Sequence, residues 1–191
     1  NTTCVKSLKG SNYTTYTFSI DGGWVRNNLN ILFTEPHTET HLYGLYLTDK
    51  NRVVDNHTVV DHTVPNCMSN ELYKGVMDGK STAVFNGKIF VRRDAQKTNA
   101  YQTNRNILLS ADATINTKPQ LEIYADDVKC SHGTSTGRLD TDALFYLRAR
   151  GIGELAARKL LVRAFADDVV EKVPNDAVKA YLDNRLNHLM A

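Results

Sequence analysis

The sequence predicts a mainly β fold: a long run of short strands, followed by a small helical unit. Three observations carry that prediction. Short apolar runs recur along the first part of the chain, many alternating apolar and polar as half-buried strands do. Clusters of Asn, Asp, Gly and Ser punctuate them. After about residue 138 the apolar period changes to that of amphipathic helices. Residues 1–138 are therefore assigned to a β core and 139–191 to a C-terminal helical domain.

The strand candidates are Leu29–Phe33, Leu42–Leu47, Thr58–Val60, Ala83–Phe85, Ile89–Val91, Ile107–Leu109, Leu121–Tyr124 and Val128–Cys130. Taken alone, Asn86-Gly87 signals a tight hairpin. The wider rhythm points elsewhere: strands about 10–16 residues apart, without a helix, fit a sandwich, a barrel or a β-solenoid. Asn56, Asn104, Asn106 and Asn116 sit near strand entries, where Asn suits solenoid corners. In the helical part, Asp140 or Thr141 caps a first helix, and Gly151 stops it. A second runs from about Glu154 to Lys172 with an apolar stripe of Ala157, Leu160, Leu161, Ala164, Phe165 and Val169. Pro174 ends it. Asn175 or Asp176 caps a third, carrying Val178, Tyr181, Leu182, Leu186 and Leu189.

Composition narrows the function classes. Charged residues make up 23% and the formal net charge is +2, with no block of one sign. That argues against strong binding to nucleic acid or membrane surfaces. No apolar run approaches the roughly 20 residues of a membrane span, and no signal peptide is recognisable. Three cysteines, Cys4, Cys67 and Cys130, do not suggest a disulfide framework, so a reducing cytoplasmic setting is expected. Asn-x-Thr sequons at Asn1, Asn12 and Asn56 carry little weight without a secretory signal. The chain begins at Asn1 rather than Met, which suggests a fragment lacking an N-terminal part.

Several motifs resemble sites. Gly79-Lys80-Ser81-Thr82 looks like the end of a P-loop, but Lys74 stands where its first Gly belongs, and a strand follows where a helix should begin. His37-Thr38-Glu39-Thr40-His41 has its Glu misplaced for a zinc-protease motif; on a strand its histidines lie about 13 Å apart. His57 and His62, five apart, face opposite sides of a strand, and surface or interface histidines are the default reading. Cys130 and His132 are different. Two apart on a strand, they project from one face with bases about 7 Å apart. Either can ligate a soft or borderline metal, yet two ligands are too few for a closed site, so others must come from elsewhere or from another chain. The plain alternative for Cys130 is a small hydrophobe at a strand end. The basic and apolar helices offer either a solvated face or a docking surface.

From Gln120 to Ile152 the chain reads QLEIYADDVKCSHGTSTGRLDTDALFYLRARGI. This resembles the C-terminal signature of the SufD branch of the SufB/SufD family of iron–sulfur cluster assembly proteins. The carrying words are A-D-D-V-K-C-x-H-G and L-F-Y-L-R-x-R-G-I. His57–Ser110 is also similar, so residues 30–173 resemble the family almost continuously. The SufB branch has a Glu-containing segment where this chain has Cys-Ser-His-Gly. Thr134-Ser135-Thr136 replaces a common Ala-Thr-Val, a minor departure.

The resemblance implies a right-handed parallel β-helix followed by a small C-terminal helical domain, and a scaffold rather than an enzyme. It implies pairing with a SufB-like protein through the C-terminal end of the β-helix and docking of a SufC-like ATPase on the helices. The iron–sulfur cluster would be held transiently by the assembled complex, and ATP by SufC, not by this chain. His132 matches a histidine at the SufB–SufD interface, and Cys130 the cysteine of the same motif; both are expected as cluster or interface residues shared with the partner. As a segment, Leu144, Phe145, Leu147, Arg148, Leu160, Leu161 and Phe165 inherit the SufC-docking role. An uncapped solenoid end is also expected to self-associate as a homodimer through the surface offered to SufB. Two other readings compete: a polysaccharide-active solenoid enzyme, for which paired acids are wanting because Asp126 and Asp127 would face opposite ways, and a purely structural β-helix.

Overall fold

The computed structural model describes residues 1–189. Among them are ten strands and then three helices. The strands are β1 (Thr2–Ser7), β2 (Asn12–Ser19), β3 (Trp24–Phe33), β4 (Glu39–Thr48), β5 (Val53–His62), β6 (Met68–Met77), β7 (Thr82–Val91), β8 (Asn99–Leu108), β9 (Thr114–Ile123) and β10 (Lys129–Gly137). They alternate between two parallel five-stranded sheets, ordered β1-β3-β5-β7-β9 and β10-β8-β6-β4-β2. Each turn of the chain thus lays one strand on each sheet, and five turns stack into a solenoid. This resolves the sandwich, barrel or solenoid question in favour of the solenoid.

Register explains why so regular a stack forms. Identical inward positions align from turn to turn, as in Phe33↔His62↔Val91 on one sheet and Leu42↔Glu71↔Gln102 on the other. The inward faces meet in one core containing Ile31, Phe33, Phe85 and Ile89 from one sheet and Leu42, Tyr46, Tyr73 and Met77 from the other. Corners repeat too. Gly10, His37, Asn66 and Lys97 have positive φ, each two residues before a strand of the β2 sheet. Lys50 and Gly79 do the same three residues before β5 and β7. A Cβ on Gly79 would lie 2.7 Å from the Lys50 backbone nitrogen of the turn below, so that corner combines a left-handed backbone with close stacking.

Several expectations need correction. Asn86-Gly87 is no hairpin: it lies inside β7, and Gly87 faces inward, where a Cβ would come within 2.8 Å of Gln102 Cδ. Asn56, Asn104 and Asn106 are buried within strands, not at corners, and Asn116 lies exposed along β9. The amides of Asn104 and Asn106 join an interior polar network. Asn104 Nδ2 donates to the Tyr46 hydroxyl at 2.9 Å, Asn106 Nδ2 to Asn104 Oδ1 at 2.7 Å, and the Tyr46 hydroxyl to Asn106 Oδ1. Strand β6 and the first two strands lay outside the apolar runs read from sequence. Thr134–Thr136 lie within β10. Asp126 and Asp127 occupy the corner before β10, not a strand.

The helices are α1 (Thr141–Ala149), α2 (Glu154–Val170) and α3 (Asp176–Leu189). Asp140 caps α1 through bonds from Asp142 N and Ala143 N, and Gly151, at φ 86°, closes it. Asn175 caps α3 through Ala177 N and Val178 N. The buried stripe of α2 is Ala157, Val162, Ala166, Val169 and Val170; Leu160 and Ala164, expected inside, are exposed. The stripe is turned because α2 and α3 do not pack only on each other. Val162, Ala166, Val169, Leu182 and Leu186 form one cluster with Leu45, Leu47 and Val76 on the outer face of the β4–β6 sheet. Lys74, 2% exposed, reinforces the contact: its ammonium donates to Phe165 O at 2.7 Å, pairs with Asp168, and sits over the Phe165 ring. Tyr181 is exposed, and the Leu189 side chain, like Met190 and Ala191, lies outside the described residues.

Candidate functional site at the open end of the solenoid

Strand β10 is the last rung of its sheet. It pairs in parallel with β8 over Lys129–Gly137, and no strand among the described residues covers its other edge. Its register sets Cys130 beside Ala100 and His132 beside Gln102, both inward, buried positions of β8. In a parallel ladder paired residues share a face, so Cys130 and His132 both point toward the solenoid interior. That interior is open at this end. Cys130 is half-buried against the core, and His132 is exposed. The spacing-two reading is therefore realised on an edge strand rather than an inner one.

The chemistry of the two side chains differs. Burial pushes the Cys130 thiol up, partly offset by a hydrogen bond with the Ala100 backbone, so the sulfur is a protonated thiol rather than a ready thiolate at neutral pH. His132 is free to present a ring nitrogen outward. Among the described residues no group of three or more His, Cys, Asp or Glu is placed to hold a metal. A ligand set built here would need donors beyond the described residues.

Beneath His132 the same column continues inward: Gln102, then Glu71, then Leu42. Gln102 Nε2 donates to Glu71 Oε2 at 2.7 Å. Burial pushes the Glu71 carboxyl up to about 7, with the Thr58 hydroxyl and Gln102 amide offsetting part of that rise. Sequence reading passed over Glu71 and Gln102. Its available signal was register: Tyr73 and Met77, two and six residues after Glu71, fix the inward face of β6.

The other histidines fall apart as sites. His37 is a left-handed corner residue before β4, so it does not share that strand with His41, which bonds Glu39 at 2.7 Å on the outer face. His57 lies outside, 2.8 Å from Asp55. His62, expected at the surface or an interface by default, is fully buried in the core, stacked on Phe33 and bonded to the Ser69 hydroxyl at 2.9 Å. Burial pushes its imidazole down to about 4. Gly79-Lys80-Ser81 forms a corner that leads into β7, not into a helix.

A second surface lies on the helices. Among the described residues α1 has none buried. Phe145 is 74% exposed, and Tyr146, Leu155 and Leu160 are exposed beside it in the chain. Arg150 lies over the Tyr146 ring, and Arg148 pairs with Glu154 at 3.4 Å. Leu144, Leu147 and Leu161 are half-buried. Phe165 is turned toward Lys74 and the β sheet.

Comparison with known proteins agrees with this architecture. The family model described as "SUF system FeS cluster assembly, SufBD core domain" matches residues 1–165. The chain is 40% identical over 173 residues, 91% of its length, to an iron–sulfur cluster assembly SufBD family protein of Synechocystis. It is 39% identical over 164 residues, 86% of its length, to the iron–sulfur cluster assembly protein SufD of Escherichia coli. Against the chloroplastic protein ABCI7 of Arabidopsis thaliana it is 38% identical over 191 residues, 98% of its length. A parallel β-solenoid with a C-terminal helical unit is thus the class. The chain belongs to the SufBD core family of the SUF iron–sulfur cluster assembly system, and its similarity extends to SufD. It spans 38%, 39% and 40% of the length of these three relatives.

Proposed function

We propose that this chain is part of a SufD-like scaffold for iron–sulfur cluster assembly. It pairs with a SufB-like protein through the open β10 edge and docks a SufC-like ATPase through α1 and the start of α2. The observation that carries this reading is the placement of Cys130 and His132 on an uncovered edge strand that by itself offers too few ligands for a cluster. A partner strand added to β10 would satisfy the free backbone groups and bring its own ligands to the same point. The cluster is cargo of the assembly, and ATP belongs to the ATPase. The exposed Phe145, Tyr146, Leu155 and Leu160 support the docking role of the helices. Of the expected docking segment, Phe145, Arg148 and Leu160 lie outermost.

Carboxylates on the outer sheet weigh against a polysaccharide-cleaving enzyme. Asp55 pairs with Arg26, Asp61 with Arg92 and Glu122 with Lys88, so each is neutralised rather than set as a free acid pair. No helix among the described residues is long and apolar enough to cross a membrane; a cytoplasmic setting is part of the proposal.

The test is co-expression with SufB- and SufC-type partners, wild type against His132→Ala, followed by anaerobic isolation and measurement of iron and sulfide per complex. Loss of cluster with the complex intact supports a shared site at β10. Unchanged content leaves the purely structural reading. The same edge can pair two copies of this chain, so sedimentation of the chain alone should show a concentration-dependent dimer.

A further inference from the structure

The solenoid interior carries a polar pair that its packing does not call for. Glu71 and Gln102 are each 1% exposed, and Gln102 Nε2 donates to Glu71 Oε2 at 2.7 Å. Glu71 Oε1 and Gln102 Oε1 are both buried without a hydrogen-bond partner. Burying such groups is unfavourable unless they are satisfied. Gly87 makes the arrangement possible, since a Cβ there would come within 2.8 Å of Gln102 Cδ. The Glu71 bond occupies the Gln102 amide nitrogen and so fixes which end of that amide is left over: a carbonyl oxygen, an acceptor in need of a donor.

The next rung of the same column is His132. Rungs lie roughly 4.8 Å apart, within the reach of an imidazole that turns inward. The exposed ring makes no such bond in the conformation seen, but its residue holds the in-register position on the neighbouring rung. A histidine whose one ring nitrogen donates to a carbonyl has its tautomer fixed, with the other nitrogen left as a directed lone pair.

We propose that Gln102, held by Glu71, is a positioning residue for His132: its side-chain carbonyl accepts one imidazole N–H and aims the other nitrogen at the open edge. This rests on the reading of His132 as a site residue, and deepens it. Glu71 acts through Gln102, and neither touches the cargo.

The experiment is nitrogen NMR of the histidine ring nitrogens in this chain, at a pH where His132 is neutral, with its signals assigned by His132→Ala. One hydrogen bond of ordinary strength shifts a tautomer ratio about two- to tenfold. Wild type should show that bias. Gln102→Leu should abolish it, and Glu71→Gln, which keeps an acceptor for the Gln102 amide, should preserve it. Because Gln102→Leu strands a buried carboxylate, Glu71→Leu/Gln102→Leu provides an apolar pair that folds without one; it too should lose the bias. A His132 ratio that is the same in wild type and in both Leu variants overturns the proposal. The iron and sulfide measurement with His132→Ala separates the two ideas: retained cluster there sinks the site reading, whereas an unchanged tautomer ratio sinks only the role of Gln102.

Discussion

Strands β6 and β10 flank the same neighbour, β8, yet they live in different worlds. In β6 the inward residues Ser69, Glu71, Tyr73 and Met77 are all buried, and even the outward Lys74 and Val76 are covered by α2 and α3. In β10 no residue is buried, although its ladder to β8 is complete. Ladder hydrogen bonds therefore define a strand here without giving it an interior. What β10 lacks is the next turn. Native edges are usually blunted by charge or proline, and the other terminal strand, β9, carries Lys118-Pro119. After Lys129, β10 runs Cys-Ser-His-Gly-Thr-Ser-Thr-Gly, with no such device. Nothing in these side chains opposes a covering strand.

The sharpest way to break that comparison is to add one methyl to a glycine in each setting. Gly44 is in register with Tyr73, and a Cβ on it would lie 2.7 Å from Tyr73 Cγ and closer still to other ring atoms. Gly75 and Tyr46 make the reciprocal pair two residues along the same two strands. The rings are buried and cannot retreat, so Gly44→Ala should cost about 3 kcal/mol, the upper range for overpacking. Gly133 in β10 has nothing within 4 Å of its prospective Cβ, so Gly133→Ala should change stability by less than about 0.5 kcal/mol. Urea unfolding of both variants measures the difference; equal effects would mean that β10 is packed in solution.

This pair of glycines also marks what the sequence could and could not disclose. Strand rhythm, the switch to helix near Asp140, the Asp140 and Asn175 caps and the Cys130/His132 spacing were all legible, because each depends on local chemistry. Gly87 read as a hairpin signal, and Gly44 and Gly75 gave no packing signal, because their reason is a ring or amide on another strand of the solenoid, 15 to 31 residues away in sequence. Glu71 and Gln102 were passed over, and Asn104 and Asn106 were read as corner residues, for the same cause: they bond to groups on other strands or to one another. The α2 stripe was misjudged because periodicity sees one helix, while Val162 and Val170 answer to a sheet face. That β10 is an edge is a property of the stack, invisible in the strand itself.

Two buried titrating groups sharpen the comparison next. The Glu71 carboxyl rises from an ordinary 4.5 to about 7, so the folded state holds its proton more tightly than the unfolded chain. Its contribution is full below pH 4.5 and is lost as pH rises through 7. His62 falls from 6.5 to about 4, so its contribution is full above pH 6.5 and is lost as pH falls through 4. The two slopes oppose each other between pH 4.5 and 6.5. Glu71→Gln should remove one of them. Stability should then rise from pH 4 to 6.5, and at pH 8 the variant should exceed wild type by up to about 3 kcal/mol, the free energy of such a shift. Thermal unfolding across pH checks this. A wild-type profile that already matches the variant would show that Glu71 does not titrate inside the solenoid.

The clamp between α2 and β6 should give a smaller effect. Asp168 is half exposed, but its partner Lys74 is buried on the outer face of β6. Asp168→Ala leaves the ammonium with the Phe165 carbonyl and ring. The expected loss is about 1–2 kcal/mol, between a surface pair and a fully buried one. Lys74→Met, which keeps the length and removes the charge, should recover part of that loss in the Asp168→Ala background. A double-mutant cycle by urea unfolding reads the coupling directly; a coupling near zero would mean that α2 is held by its apolar stripe alone.

Phe145 should give the smallest change in stability and a large one in assembly. Its ring is 74% exposed on a helix with no buried residue, so truncation to Ala removes little that the fold uses. The expected stability change is within about 0.5 kcal/mol. A monomer that leaves an aromatic side chain this open, beside Tyr146 and near Leu155 and Leu160 in sequence, presents the kind of anchor that dominates binding once a partner covers it. An exposed aromatic of this sort contributes about 2 kcal/mol or more at the centre of an interface. Phe145→Ala should therefore weaken co-purification of the SufC-type ATPase by roughly thirtyfold or more in affinity while leaving SufB-type pairing intact. His132→Ala should instead lower cluster content and spare the ATPase. If both variants fail in the same assay, the two ends of the molecule are not independent surfaces, and the division drawn between the open rung and the helical face would have to be abandoned.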